Sequence, residues 1–338
     1  MGRVLVLGGT AWLGREITTV ALARGHEVTC LARGEAGDVA AGAQLVRADR
    51  AAPDAYDQVR EQDWDEVVDV SWQPGMVRSA VGALAGRAGH WTYVSSCSVY
   101  ADHSLAMADE SSPLLPALPA DRDEADRDVY GEAKVACEEA VVEELGERAL
   151  LVRAGLIGGP GDLSDRFGYW VGRYAVAGPD PVLAPDAPQQ PTQTIDARDL
   201  AAWVVMAGEA GRSGPVNAVG EQRTLAEVLD AARGVAGSTG PTVRADPKWL
   251  QDNEVDGWAG PRSLPLWTPW PEFTAIGARS DRRSVELGLQ RRPLESTLVD
   301  TLTHERRLGL DRERKAGLSR TDELELLDRW AARESLSD

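Results

Sequence analysis

The feature that most constrains this chain stands in its first fourteen residues. An apolar run, Arg3-Val4-Leu5-Val6-Leu7, leads into Gly8-Gly9-Thr10-Ala11-Trp12-Leu13-Gly14. From Gly14 to Arg24 apolar residues recur at helical spacing, and Gly25 stops the helix. Strand, glycine turn and helix in that order expose a helix N-terminus whose backbone N–H groups meet no side chain, which is what a pyrophosphate binds. Gly8 permits the tight turn, and Gly14 lets the helix lie close to the strand.

The pattern continues in kind. Val28–Leu31, Gln44–Arg47, Val67–Ser71, Trp91–Ser95 and Leu150–Leu156 read as buried strands, and Asp126–Leu145 reads as a long helix. Strands alternating with helices imply an α/β fold, a doubly wound parallel sheet covered on both faces. After Gly158 the chain changes character. Residues 158–193 are rich in Gly, Pro and aromatics and predict short elements at most. Thr224–Ala236 predicts a helix opened by a capping box, Thr224 with Glu227, and residues 293–308 and 321–334 predict closing helices. The organisation expected is a dinucleotide-binding domain over 1–158, to which 194–220 returns, and a smaller substrate-binding cap from 159–193 and 221–338.

Composition narrows the partners. The 338 residues carry a net charge of −18, which repels nucleic-acid backbones and anionic membranes, so a small-molecule partner is expected and neither nucleic acid nor membrane. No window reaches the ~18 apolar residues of a membrane helix, and the strand pattern at the start of the sequence leads to the expectation of no signal peptide. Cys30, Cys97 and Cys137 have no C-x-x-C spacing and read as reduced thiols of a cytoplasmic protein. His26, His90, His103 and His304 are scattered, so no metal site is expected. His103 lies just past the fifth strand and reads as a solvated loop residue.

Tyr130-Gly131-Glu132-Ala133-Lys134 places a phenol and an ammonium four residues apart, on one face of the long helix. The chain has six tyrosines and only three lysines (Lys134, Lys248, Lys315), so chance gives about one such match in twenty. A phenol titrates near 10 in isolation, and a neighbouring ammonium stabilises the phenolate, making the pair a proton donor and acceptor for a carbonyl or alcohol. Ser95-Ser96-Cys97-Ser98-Val99-Tyr100 closes the fifth strand.

With these motifs the chain resembles the extended and atypical short-chain dehydrogenase/reductases, in the epimerase/dehydratase-like and isoflavone-reductase-like branch. The resemblance covers nearly the whole chain and is strongest over residues 3–200. It implies catalytic roles for Ser96, Tyr130 and Lys134. It also implies a nicotinamide cofactor held by Gly8, Thr10, Ala11, Trp12, Leu13, Gly14, Arg33, Asp49, Arg50, Ser71 and Lys134. Ala11 stands where the family loop G-x-x-G-x-x-G has its middle glycine. Ala32 stands where NAD-preferring members carry an acid, and Arg33 follows it, so NADP(H) is the expected preference with NAD(H) admitted. Cys97 and Ser98 occupy the positions of the dehydratases' Asp-Glu pair, and Leu156 that of the nucleotide-sugar members' Asn. The segment Gly159-Pro160-Gly161-Asp162 through Asp165-Arg166-Phe167 and Tyr169-Trp170 resembles one atypical branch. Trp72, Ser98, Tyr169, Trp170 and Trp258 are the candidate substrate-pocket residues.

The function expected is NADP-dependent reduction of a carbonyl, or oxidation of an alcohol, of a mostly apolar small molecule. Two rivals stand beside it: an epimerase with transient oxidation on a tightly held cofactor, and a non-catalytic cofactor-sensing or RNA-associated protein on the same fold. Monomer and homodimer remain open.

Overall fold

Alternation within the opening strand sets the layers. In β1 (Arg3–Leu7), Val4 and Val6 point to one face and Leu5 and Leu7 to the other, and all four are buried. A strand buried on both sides belongs inside a parallel sheet. In this computed structural model, which describes residues 1–337, β1 is flanked by β2 (Glu27–Ala32) and β4 (Trp64–Asp69). Beyond them lie β3 (Gln44–Arg47), β5 (Ala88–Ser96), β6 (Ala149–Ala154) and a strand from much later in the chain, Gly214–Ala218. The seven strands are parallel throughout, in the order Gly214–Ala218, β6, β5, β4, β1, β2, β3.

Val4 and Val6 pack with Ile17 and Ala21 of α1 (Trp12–Ala23) and with Leu200 and Val204 of the helix Ala197–Glu209. Leu5 and Leu7 pack with Val77 and Val81 of α2 (Pro74–Leu84) and with Cys137 and Val141 of α3 (Tyr130–Leu145). The doubly wound sheet is therefore present.

Past β6, a short β7 (Leu156–Gly158) leads into α4 (Arg166–Ala177), β8 (Val182–Pro185) and β9 (Pro191–Asp196). The chain then makes α5 (Ala197–Glu209) and β10 (Gly214–Ala218), which return to the large sheet. β11 (Gln222–Thr224), α6 (Leu225–Ala236), β12 (Thr242–Ala245), α7 (Pro247–Asp252), α8 (Arg282–Glu286), α9 (Leu294–Leu308) and α10 (Arg320–Ser337) complete it. A second core forms from α4, α6, α9 and α10, with Phe167, Trp170, Leu229, Trp267, Leu302 and Leu326 buried in it. The capping box of α6 is present, with Thr224 and Glu227 bonding each other's backbone.

The sequence reading misses in particular places. Residues 158–193 hold a twelve-residue helix, α4, where only short elements are expected. Its glycines and aromatics are poor helix formers, and complete burial of Phe167, Tyr169, Trp170 and Tyr174 overrides that propensity. The strand expected at Val67–Ser71 ends at Asp69, whose buried carboxylate accepts from the Ser71 N–H and turns the chain. Leu287 and Leu289, expected in the cap, pack on the core beside β10.

Candidate active site

The glycine loop is built for close approach. Gly8 has φ of +97°, and its N–H donates to the Leu31 carbonyl at 3.0 Å, pinning the turn to the end of β2. A Cβ on Gly9 would lie 2.3 Å from the Cys30 sulfur, and one on Gly14 would lie 2.3 Å from the Gly8 carbonyl oxygen. α1 begins with no side-chain cap on Ala11 and no acidic residue in its first turn. Uncapped N–H groups at the positive end of a helix, over a turn that only glycine can make, fit a dinucleotide pyrophosphate. Trp12, Leu13 and Gly14 supply that first turn. The Ala11 N–H is already committed to the Gly8 carbonyl at 3.1 Å, so it is not among the free donors. Thr10 is buried beside the loop.

The same loop is stitched to the cap. The Trp12 indole donates to the Pro160 carbonyl at 2.9 Å. A Cβ on Gly161 would meet that indole nitrogen at 2.8 Å, so glycine at 161 keeps the 158–162 turn against α1.

The carboxyl end of β4 forms the next wall. Asp69, fully buried, takes a two-pronged ion pair from Arg50, with both contacts at 2.7 Å. Arg50 also bonds the Tyr56 hydroxyl at 3.0 Å and the Met76 carbonyl at 2.9 Å. Burial opposes the charge on Arg50, and Asp69 more than restores it, so its pKa lies above the usual arginine value. This corrects the expectation for Arg50: its guanidinium is spent inside the protein and braces β4. Asp69 in turn holds the Ser71 N–H at 2.9 Å, which fixes the Ser71 carbonyl.

Lys134 reaches that carbonyl. Its ammonium, almost wholly buried, donates to Ser71 O at 2.9 Å and to Val94 O at 2.6 Å, and lies 4.7 Å from the centre of the Tyr93 ring. The Tyr93 hydroxyl donates to the same Ser71 carbonyl at 3.0 Å. Two of the three ammonium N–H bonds are thereby used, and one is left for a ligand.

Tyr130 opens α3 one turn before Lys134 and is half-buried. Its ring lies 5.5 Å from that of Trp72, which places Trp72 at the site's edge. At Gly131 a Cβ would stand 2.4 Å from the Ser98 carbonyl oxygen, so the start of α3 rests directly on the loop that follows β5. In that loop the Ser96 hydroxyl donates to Ser98 Oγ at 3.1 Å and accepts from the Ser98 N–H at 3.1 Å. Cys97 between them is buried, and burial pushes its thiol up to about 12. A neutral thiol there cannot act as an acid or base at neutral pH.

The remaining expected residues separate. Tyr169 and Trp170 are fully buried, and Trp170 donates to the Pro265 carbonyl at 2.8 Å. They belong to the cap core, which corrects their assignment to the substrate pocket. Asp49 is exposed, and its carboxylate accepts from the Ala51 N–H at 3.0 Å as a turn aspartate does. Arg33 is exposed at the end of β2 and lies 3.2 Å from Glu35. His103 accepts from Arg279 at 2.7 Å and stacks on Phe273. Burial first, then the Arg279 charge, push the ring down to about 4, so it is neutral at neutral pH.

Sequence reasoning assigned no role to Arg47 or Arg166. Arg47 donates to the Arg33 carbonyl at 3.3 Å and so stands beside Arg33. Arg166 stacks on Trp258 at 4.9 Å, and Trp258 has φ of +64°. Nothing short of the tertiary fold brings these pairs together, since Arg166 and Trp258 lie in different parts of the cap.

The likeness to solved structures follows the same architecture. The UDP-Glc/GlcNAc 4-epimerase of Campylobacter jejuni superposes with a TM-score of 0.66 at 14% identity, covering 91% of this chain and 100% of that one. The UDP-glucuronic acid 4-epimerase of Bacillus cereus, an NAD complex, gives 0.62 at 15%, covering 90% and 99%. The NAD complex of UDP-glucose 4-epimerase from Thermus thermophilus gives 0.59 at 18%, covering 90% and 99%. Among curated proteins none matches the chain significantly. The sequence profile of the NAD dependent epimerase/dehydratase family matches residues 4–220, nearly two thirds of the chain, and the protein belongs to that family.

Proposed function

We propose that the protein is a nicotinamide-dependent oxidoreductase that reduces a carbonyl, or oxidises the corresponding alcohol, of a small molecule. The observation that carries this reading is the Lys134 ammonium, fixed between two backbone carbonyls one helical turn from Tyr130 on the helix that rests on the Ser96–Ser98 loop. The cofactor, when bound, supplies or accepts the hydride. Tyr130 gives its phenolic proton to the substrate oxygen, or takes one from it. Lys134 favours the negative charge that develops on that phenol and has one N–H left for a ribose hydroxyl. Ser96 orients the substrate oxygen, and its pairing with Ser98 holds the hydroxyl in place.

NADP(H) is the proposed preference. Arg33 and Arg47 put two guanidinium groups at the end of β2, where a ribose 2′-phosphate would lie, and no carboxylate replaces Ala32. An epimerase with transient oxidation is the second reading, favoured by the family match and by the named activities of the structural neighbours. Leu156 in place of the nucleotide-sugar Asn favours net turnover instead.

The test is a panel of ketones and aldehydes with reduced cofactor, followed at the nicotinamide absorbance band. Net cofactor oxidation is expected, and Tyr130→Phe should lower it by about 10²–10⁴-fold with dinucleotide affinity unchanged. Substrate isomerisation with no lasting change in the cofactor would establish the epimerase. Near-normal turnover in folded Tyr130→Phe would remove the mechanism.

A further inference from the structure

We propose that Gln73 is a positioning residue for Tyr130: its side-chain amide ties the segment that leads into α3 to the turn that leaves β4, and so sets the phenol against Trp72. The proposal deepens the oxidoreductase reading and rests on it for the role of Tyr130.

Gln73 stands at the N-cap of α2, just before Pro74, yet its side chain does not cap that helix. It reaches instead to Ala125. The amide donates from Nε2 to the Ala125 carbonyl at 3.1 Å, and its Oε1 accepts from the Ala125 N–H at 2.9 Å. A primary amide carries a donor and an acceptor side by side, so it satisfies both backbone groups of one residue as a neighbouring strand would. A glutamate lacks the donor, and a methionine lacks both groups.

Ala125 marks where that segment enters the protein. Of the described residues from Pro119 to Asp128 it alone is buried. The run from Asp121 to Asp128 holds five carboxylates against two guanidiniums, and its own charges oppose close ordering. Two other contacts hold the segment further upstream. The Gly75 N–H donates to the Asp123 carbonyl at 2.9 Å, and Arg78 bonds the Asp123 carboxylate at 2.9 Å. Of the three, the Gln73 pair lies nearest along the chain to Tyr130, which follows five residues later.

The other end of the tie is fixed. Asp69 holds the Ser71 N–H and is itself held by Arg50, and the Ser71 hydroxyl accepts from the Gln73 N–H at 3.3 Å. Between Ser71 and Gln73 stands Trp72. Its ring lies 5.5 Å from that of Tyr130 at an angle of 54°, and it packs against the apolar cluster of Leu118, Ala125, Ala133 and Ala136. The turn therefore meets the acid–base pair twice. The Ser71 carbonyl takes the Lys134 ammonium, and Trp72 takes the flank of the Tyr130 ring. Asp69 fixes Ser71 and with it Lys134, whose second bond goes to the Val94 carbonyl of β5. Gln73 fixes the approach of the chain to Tyr130. Cutting the Gln73 tie frees the start of α3 on the Trp72 side while Lys134 and the glycine loop keep their bonds, so the phenol moves and the dinucleotide site does not.

The experiment uses full-length protein labelled with carbon-13 at the tyrosine ring ε positions. Six tyrosines give the ring signals, and Tyr130→Phe identifies the one from Tyr130. Trp72→Phe shows which way that signal moves when the neighbouring indole is lost. Gln73→Met, which removes both bonds, is expected to move the Tyr130 signal in the same direction. With a ketone or aldehyde that the unmodified protein reduces, Gln73→Met should lower kcat about 10- to 100-fold, since a misplacement near 1 Å costs on the order of 10². Its dinucleotide affinity should stay within about threefold of the original, with melting temperature confirming the fold. Gln73→Glu should lose kcat as well. About 0.5 M salt should recover part of that loss relative to unmodified protein at the same salt, because the added carboxylate faces the acidic run, and the loss in Gln73→Met should not respond. A Tyr130 signal that stays in place in folded Gln73→Met, or kcat within about threefold of the original, would overturn the proposal and leave Gln73 a tie for stability alone. Dinucleotide affinity falling in step with kcat would also overturn it, because Gln73 would then serve the cofactor. If Gln73→Met fails to fold, Gln73→Glu carries the same tests of ring signal, kcat and affinity. A protein that reduces no carbonyl would defeat the oxidoreductase reading, and the ring signal and the affinity would still decide where Gln73 acts.

Discussion

Gly131→Ala tests whether the approach of α3 to the Ser96–Ser98 loop sets the catalytic geometry. The added Cβ would lie 2.4 Å from the Ser98 carbonyl oxygen and 2.5 Å from a methyl of Leu115. The leucine methyl can rotate away, but the carbonyl belongs to the loop that carries Ser96. Carbon and oxygen need ~3.4 Å for ordinary contact, so the start of α3 must shift by roughly 1 Å. Tyr130 is the preceding residue and moves with it. A misplacement of about 1 Å in a reacting group costs on the order of 10² in rate. Stability responds less. Overpacking costs about 1–3 kcal/mol, while alanine in a helix recovers up to about 1 kcal/mol relative to glycine. The assay compares turnover at the nicotinamide absorbance band, dinucleotide affinity and melting temperature for Gly131→Ala and for Gly82→Ala. Gly82 is exposed on α2, where a Cβ meets nothing within 4 Å, so Gly82→Ala should leave turnover unchanged and stabilise slightly. The expected result is a ~100-fold loss of turnover in Gly131→Ala with affinity for dinucleotide retained. Turnover within threefold of the original in a folded Gly131→Ala protein would refute the reasoning, because the close approach would then not position the phenol.

Three further outcomes follow from the same geometry. Arg33→Ala should weaken NADPH binding about tenfold, the low end for a charge-assisted bond because the side chain is exposed and screened, and leave NADH nearly untouched; an NADH preference in the unmodified protein would refute it. Arg50→Met strands the buried Asp69 carboxylate and should cost about 3–5 kcal/mol in denaturant unfolding, and a loss under 1 kcal/mol would show that the pair does not brace β4. His90 is held between the Glu66 carboxylate at 2.5 Å and the Arg212 carbonyl at 2.7 Å. Burial alone would lower its pKa, but the bonds to Glu66 and the carbonyl outweigh it and raise the value. Its contribution to stability is therefore fully present below about 6.5, the unfolded value, and is lost as pH rises through the higher folded value. The difference in melting temperature between unmodified protein and His90→Gln should shrink across that window, and a difference that grows with pH would contradict the assignment.

Much of this protein is written locally. The loop from Gly8 to Gly14 could be recognised because one glycine makes a turn, another removes a Cβ from a helix–strand contact, and both acts depend on neighbours within a few residues. The Tyr130–Lys134 pair was legible for the same reason, since helical spacing alone puts i and i+4 on one face. The parallel sheet followed from strands alternating with helices, and the α6 cap from a four-residue pattern. What the tertiary structure decided involves partners distant in the chain. Arg33 and Arg50 look alike in sequence, yet one is exposed just past the end of β2 and the other is consumed by Asp69, nineteen positions away. Tyr169 and Trp170 read as pocket aromatics and became core, because α4 turns that face onto α6, α9 and α10. Arg166 and Trp258, ninety-two positions apart, meet only through the packing of the cap. Periodicity reports which residues share a face, but which face meets which, and which charge is left without a partner, is settled by packing between segments whose separation no local pattern encodes.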